Sequence, residues 1–419
     1  MRPAALLDLT TELLRRVLRF EQPADAIVSA FFREHRALGQ RERHALAETV
    51  YAVLRERLLF MQLAAGGHGA LERRLALLGW CGDANLLRSA LTPGEADWLA
   101  AASRVERAGL PDELRHNLPG WLAEALREQD PEGFWPLVDA LNRPAPLDLR
   151  VNALRMKRKD AAAALAGAGI TARPTPYSPW GLRVDGKPAL TRQALFADGT
   201  IEVQDEGSQL VALLVDAHRG EMVVDFCAGA GGKTLALGAA MRNSGRLYAF
   251  DVSAARLAAL RPRLERSGLD NVHVVQIAHE RDERVERLAG KIDRVLVDAP
   301  CSGLGTLRRN PDLKWRQSPA SVAELGQRQR AILDAAARLA KPGGRLVYAT
   351  CSVLADENEA VAEAFTAAQA RHFEVLPAAQ ALAAARVPDA ATLVDGPYLR
   401  LLPQRHGTDG FFAAAWRRR

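Results

Sequence analysis

"VVDFCAGAGGKT" (residues 223–234) decides the fold. An apolar run closes on Asp225, glycines crowd in at Gly229, Gly231 and Gly232, and a helix-forming stretch follows. Strand, glycine turn and helix make the first unit of a parallel sheet. The glycines let the backbone turn sharply, and the free N–H groups of the helix start attract an anionic group. Lys233 adds positive charge at the same place. This is no Walker loop, because Cys227 stands five residues before Gly232, where GxxxxGK[ST] needs its first glycine. The next strand, "YAFDVS", closes on Asp251, an acid able to accept ribose hydroxyls; the spacing equally allows it to cap the helix beginning at Ser253. Together the loop Cys227, Ala228, Gly229, Ala230, Gly231, Gly232, Lys233 and the acid Asp251 point to an adenosine-type cofactor, either a dinucleotide or S-adenosylmethionine.

Outward from that unit the alternation continues. Strands are expected at 222–228, 245–252, 272–277, 293–300 and 344–352, with helices at 233–242, 253–267, 319–340 and 356–370. "HFEVLP" and "GFFAAAWRRR" read as two final strands. Continuous apolar strands between helices imply a mostly parallel sheet covered on both faces, an α/β domain over 207–419. The Ala-rich "LPAAQALAAARVPDAATL" (376–393) reads as a surface insertion with some helix. Residues 139–206 carry short strands, one helix and turn signals, a small α+β module containing the basic "RMKRKD". Residues 1–138 are helical in period throughout, with Pro and Gly at the breaks.

Composition limits the function classes. The 419 residues are 48% hydrophobic and 25% charged, with a net charge of +6 carried mostly by arginine. That suits phosphate contacts without establishing them. No apolar run reaches the roughly 20 residues of a bilayer span, and the N-terminal stretch is interrupted by Asp8 and Glu12, so neither a membrane nor an export signal is expected. A cytoplasmic, monomeric protein is the expectation. Four cysteines (Cys81, Cys227, Cys301, Cys351) without a CxxC pair are neither a disulfide framework nor a zinc site, and no metal is expected. Cys81 and Cys227 read as packing groups, with Cys227 also lending its backbone to the cofactor.

The other two cysteines are placed differently. "LVDAPCSGLGTLRRNPDLKW" (296–315) and "LVYATCS" (346–352) put Cys301 and Cys351 at strand exits, where ligands of such sheets lie. A thiolate is a strong nucleophile once its pKa falls. C5 of cytosine is too electron-poor to attack a methyl donor directly, but thiolate addition at C6 makes C5 enamine-like. Asp298 is then placed to hold the base edge, and a second thiol or a water it orients helps in release. Arg308, Arg309 and Lys314 would meet phosphates around an unstacked base.

At this point the combination "DFCAGAGGKT", "DAPCSGLGTLRRNPDLKW", "YATCSVLADENE", "VQDEGSQL" and "GTDGFF" resembles the Nol/Nop/Sun family of RNA cytosine-5 methyltransferases, in particular the bacterial RsmB/Sun branch acting on small-subunit (16S) ribosomal RNA. The resemblance covers essentially the whole chain. It implies a Rossmann-like class I methyltransferase domain preceded by an all-helical NusB-like RNA-binding domain and a small RRM-like α+β module, with S-adenosylmethionine as cofactor and ribosomal RNA as partner. It implies Cys351 as covalent nucleophile, Cys301 as the aid to product release, Asp298 on the base, Lys233 and the 227–232 loop on the methionine part, and Asp251 on the ribose. Arg150 and Asn152 of the small module join the expected RNA contacts. One departure stands out: where the family has an acidic residue for the adenine amino group, this chain reads "VVQIAHERDE", with Ala278 or His279 in that place. Backbone groups, Glu280 or Asp282 are the alternatives. Two other readings remain at this stage: a non-catalytic ribosome-assembly factor keeping the fold, and a nucleotide-dependent oxidoreductase, which explains the glycines but neither cysteine.

Overall fold

The computed structural model describes residues 2–419. The described residues form two compact units, one of 2–144 with 306–318 and one of 145–305 with 319–419.

The first unit is helical. In the helix Pro3–Val17, Leu6, Leu7, Thr10, Leu13, Leu14 and Val17 recur every three or four residues and are buried. They pack with Val28, Phe31, Leu46, Val50, Val53 and Leu54 of the helices Ala24–Glu34 and Gln40–Arg55. Each such leucine contributes roughly 1.5–3 kcal/mol by leaving water. Thr10 and Thr11 donate their hydroxyls to the Leu6 and Leu7 carbonyls (both 2.8 Å), so neither hydroxyl is stranded.

Residues 306–318 belong to this unit although they follow a strand of the second unit in sequence. The Trp315 indole donates to the Leu54 carbonyl (2.8 Å), and the Asp312 carboxylate accepts the Ala24 N–H (3.2 Å). Lys314 is 1% exposed, its ammonium donating to the Arg55 carbonyl (2.8 Å) and Asn142 Oδ1 (2.9 Å). Burial pushes its pKa down to about 7.

The second unit opens with the small module. Its strands Leu147–Val151 (β1), Ala172–Pro174 (β2), Gly181–Val184 (β3) and Ile201–Val203 (β4) form an antiparallel sheet in the order β2-β3-β1-β4, with the helix Arg158–Gly167 between β1 and β2. The main sheet contains Met222–Asp225 (β5), Arg246–Asp251 (β6), Val272–Gln276 (β7), Ile292–Asp298 (β8), Ala340–Thr350 (β9), Phe373–Leu376 (β10), Val394–Asp395 (β11), Tyr398–Leu401 (β12) and Phe411–Arg418 (β13). Its order is β11-β12-β13-β9-β8-β5-β6-β7, with β10 on β13. The pairs among β5 to β9 are parallel, whereas β13 runs antiparallel to β9. Alternation along each strand divides two cores: Leu296 and Val347 enter one face, Val295, Val297, Leu346 and Tyr348 the other. The direction of winding reverses between β5 and β8, the crevice where doubly wound sheets take ligands.

Three local outcomes differ from the sequence expectation. The helix Glu206–Val215, nine of whose ten residues are buried, was hidden because its run from Leu210 to Val215 is apolar on every side and has no periodic signal. The Ala-rich stretch is not a surface insertion: Ala378, Ala381, Leu382, Val387, Ala390 and Leu393 are buried in the Leu296 core. Two short strands, β11 and β12, follow it and extend the sheet edge.

Candidate active site

A cavity of about 840 Å³ opens at the carboxyl ends of β5, β6 and β8. The glycine loop forms its floor. Gly231 has φ +84°, and a Cβ there would sit 2.0 Å from Leu260 Cδ1, so the sharp turn and the packing both require glycine. Asp251 is buried and holds this loop: Oδ2 accepts the Gly229 N–H (2.9 Å) and Oδ1 the Ser253 N–H (2.7 Å). The helix Ala254–Ser267 is capped instead by the Ser253 hydroxyl, which accepts the Arg256 N–H (3.3 Å). Asp251 lines the cavity with acceptor capacity to spare, since a carboxylate can take about four hydrogen bonds. Cys227, Ala228 and Ala230 line it too, and burial pushes the Cys227 thiol well up.

Below the loop Asp225 is 1% exposed, and Oδ2 accepts the Thr234 hydroxyl (2.7 Å). Burial raises its carboxyl to about 7. Past β7 the cavity wall is Ile277, Ala278, His279 and Glu280. The Ala278 N–H is committed to Asp282 Oδ2 (2.9 Å), and Asp282 Oδ1 accepts the Arg284 N–H (3.0 Å). These bonds, the Ala278 N–H first, hold the Asp282 carboxyl well below the usual range. Asp282 therefore shapes the turn, and Glu280 is the acid left facing the cavity.

At the other end the two strand-exit cysteines meet. Cys301 Sγ and Cys351 Sγ are 3.4 Å apart, and both line the cavity. That contact, then burial, pushes the Cys301 thiol well up. Asp298 Oδ2 accepts from Lys233 Nζ at 2.7 Å. Burial opposes the charge on Lys233, but Asp298 outweighs it and holds the ammonium pKa above 10.5. The ammonium also lies 5.3 Å from the Phe411 ring centre. The two cysteine loops touch by backbone: the Gly305 N–H donates to the Cys351 carbonyl (2.9 Å) and the Gly410 N–H to the Gly305 carbonyl (2.8 Å). A Cβ on Gly305 would lie 2.2 Å from the Gly410 oxygen, so "CSGLG" and "GTDGFF" are fitted to each other through glycine.

The expected RNA contacts fall elsewhere. Arg150 is 2% exposed and donates to Gln204 Oε1 (2.6 Å), with burial lowering its pKa to about 10. Asn152 is also buried and donates to the Gly199 and Ser267 carbonyls (both 3.2 Å). Arg308 and Lys314 are buried in the helical unit, and Arg309 is half-buried there. Arg150, Asn152, Arg308 and Lys314 thus have internal positions rather than open surfaces. Sequence reading passed over Arg256 and Arg328, two exposed cations lining the cavity, because isolated arginines on helices carry no distinguishing signal. Cys81, expected to be a packing group, is exposed. Among the described residues no His/Cys/Asp/Glu group is arranged to hold a metal, and no helix is long and apolar enough to cross a membrane.

A doubly wound sheet with an antiparallel last strand, a glycine loop and an acid closing the second strand defines the methyltransferase type of α/β domain. Residues 212–417 match the family described as 16S rRNA methyltransferase RsmB/F, and residues 118–191 match the ferredoxin-like domain of RsmF/B-like methyltransferases. The chain belongs to this RsmB/F family. It is 36% identical over 307 residues to the probable ribosomal RNA small subunit methyltransferase B of Synechocystis sp., covering 72% of this chain and 66% of that protein. To ribosomal RNA small subunit methyltransferase B of Sodalis glossinidius it is 36% identical over 302 residues, with the same coverage, 72% and 66%. The matched region thus spans just under two thirds of these relatives' length. The solved structure of PH0851 superposes with a TM-score of 0.78 at 25% identity, covering 99% of both chains.

Proposed function

We propose that this protein methylates C5 of a cytosine in RNA, namely small-subunit ribosomal RNA, using S-adenosylmethionine and a covalent cysteine adduct. The observation that carries the reading is the 3.4 Å contact of Cys301 and Cys351 in one cavity with the Asp298–Lys233 pair. Both matched families point the same way.

The residues present fit the cofactor. A cavity of about 840 Å³ is of ligand size, about 300–1,000 Å³. Gly229, with φ +55°, has open space where a side chain would stand, so backbone can approach a ligand there. Asp251 would hold the ribose, Lys233 and the 227–232 loop the methionine part, and the Ala278–Glu280 wall the adenine. When bound, S-adenosylmethionine supplies an electrophilic methyl group.

The chain's own groups do the rest. Cys351 Sγ adds to C6 of the flipped cytosine, breaking the C5–C6 double bond and making C5 nucleophilic. The Cys351 contact and burial push the Cys301 thiol up, so it stays protonated and can donate to Cys351 Sγ. Asp298, oriented by Lys233, holds the base edge. After methylation at C5, elimination removes the C5 proton and expels Cys351 Sγ, and Cys301 or a water it orients serves that step. Arg256 and Arg328 on the rim suit RNA phosphates. The protein works in the cytoplasm as a monomer in this reading.

Radiolabelled methyl transfer to unmodified 16S rRNA tests it. Cys351→Ala is expected to abolish transfer, and Cys301→Ala to leave protein covalently trapped on RNA as a slow band on denaturing gels. Full turnover by Cys351→Ala would refute the mechanism. Bisulfite sequencing of the RNA product identifies the modified base.

A further inference from the structure

Each cysteine is followed in sequence by a serine, and both serines converge on one buried carboxylate. Glu357 is 0% exposed, in the short turn Ala355–Glu357 after the Cys351 loop. Its Oε1 accepts the Ser302 N–H (2.8 Å) and the Gln329 side-chain amide (3.0 Å). Its Oε2 accepts the Ser352 hydroxyl (2.6 Å) and the Ser302 hydroxyl (2.5 Å). The Gln329 amide also donates to the Pro300 carbonyl (3.0 Å), just before Cys301. The neighbouring Asn358 holds the far side of the second loop, donating to the Ser352 carbonyl (3.0 Å).

A buried carboxylate is costly unless its lone pairs are filled, and here four donors fill them. The donors come from the two cysteine loops and from the helix Pro319–Ala337. An apolar residue at this position would take the acceptor away from the Ser302 N–H and from one N–H of the Gln329 amide. Glu357 is absent from the cavity wall, so it cannot touch base or cofactor. We infer that Glu357 is a positioning residue whose carboxylate clamps the two loops and sets the separation of Cys301 and Cys351. The inference rests on the reading that both sulfurs serve one base. Reacting groups must be held within about 0.5 Å, and a 1 Å error costs about 100-fold in rate.

The full chain is tested as Glu357→Ala and Glu357→Gln. Single-turnover methylation of unmodified 16S rRNA is expected to fall about 100-fold in Glu357→Ala. Affinity for S-adenosylhomocysteine by calorimetry is expected to stay within about twofold, because the glycine loop and Asp251 make no contact with Glu357. Glu357→Gln keeps an oxygen for Ser302 and Gln329 while the serine hydroxyls rotate to accept, and is expected to recover to within about tenfold of wild type. The spacing is also read without RNA: diamide oxidises Cys301 and Cys351 to an intrachain disulfide, each thiol giving up a hydrogen to the reagent. That reaction, followed by mass spectrometry, is expected to slow about tenfold in Glu357→Ala. Wild-type rates of methylation and cross-linking in Glu357→Ala overturn the inference alone. Failure of the wild-type protein to methylate RNA overturns the reaction, and the clamp's part in it, whatever the variants do. Should Glu357→Ala not fold, Ser302→Ala with Ser352→Ala removes the two hydroxyl donors, and unchanged methylation in that variant overturns the inference equally.

Discussion

Lys314→Met isolates the buried lysine of the helical unit. The ammonium is 1% exposed and donates to two neutral oxygens, so burial lowers its pKa from 10.5 to about 7. Between those values the unfolded chain keeps a proton that the folded chain has released, so stability rises with pH through this window. The contribution is fully present above pH 10.5 and is lost as pH falls through about 7. With one proton of difference the slope is about 1.4 kcal/mol per pH unit, or about 2.5 kcal/mol between about pH 7.5 and about pH 9.5. Methionine keeps the length of the stem and cannot titrate. Urea unfolding across this range, followed by circular dichroism, is expected to show the wild-type helical transition gaining that stability relative to Lys314→Met. Carbon-labelled lysine NMR would give one resonance, absent in the variant, titrating far below the others. Parallel pH profiles for the two proteins would refute the burial argument.

Asp225→Asn tests the opposite sign: the raised carboxyl, about 7 against 3.8, makes wild type lose stability as pH climbs from about 4 to about 7, and the melting temperature of the variant is expected to stay flatter there. Gly231→Ala forces a Cβ into Leu260 at φ +84°, so S-adenosylhomocysteine affinity is expected to drop at least about tenfold by calorimetry; unchanged affinity would remove the loop from cofactor binding. Gly305→Ala meets backbone rather than a movable side chain, 2.2 Å from the Gly410 oxygen, and a loss of about 2 kcal/mol is expected by chemical unfolding. Arg328→Ala, at an exposed rim position, is expected to weaken RNA binding with a shallower salt dependence in filter binding, leaving S-adenosylhomocysteine affinity intact.

Much of the sheet domain was legible because its signals are local. Apolar strands buried on both faces, glycines before a helix and acids at strand ends are read within a dozen residues. The cysteines could be paired because both sit at strand exits, and exits of parallel strands share one side of a sheet. Glu357 was not legible: in "ADENE" it looks like one more solvated acid, and only folding brings Ser302, Ser352 and Gln329 around it. Lys314 and Arg308 misled for the related reason that charge was taken as exposure, although Trp315 beside them hinted at packing. Alanines in 376–393 are too small to mark a buried face by hydropathy, yet their size is what lets them lie against the sheet.

The excursion of residues 306–318 changes what a shortened protein would be. The backbone passes between the units at 144–145, 305–306 and 318–319, not through one tether. Cutting before Ala145 would not liberate a tidy catalytic half. It would strand Trp315 and Lys314 without Leu54, Arg55 and Asn142, immediately downstream of the Cys301 loop. An exposed tryptophan and a loosened insert there would invite aggregation, because residues 306–318 pack with the helices they would have lost rather than with the sheet that remains.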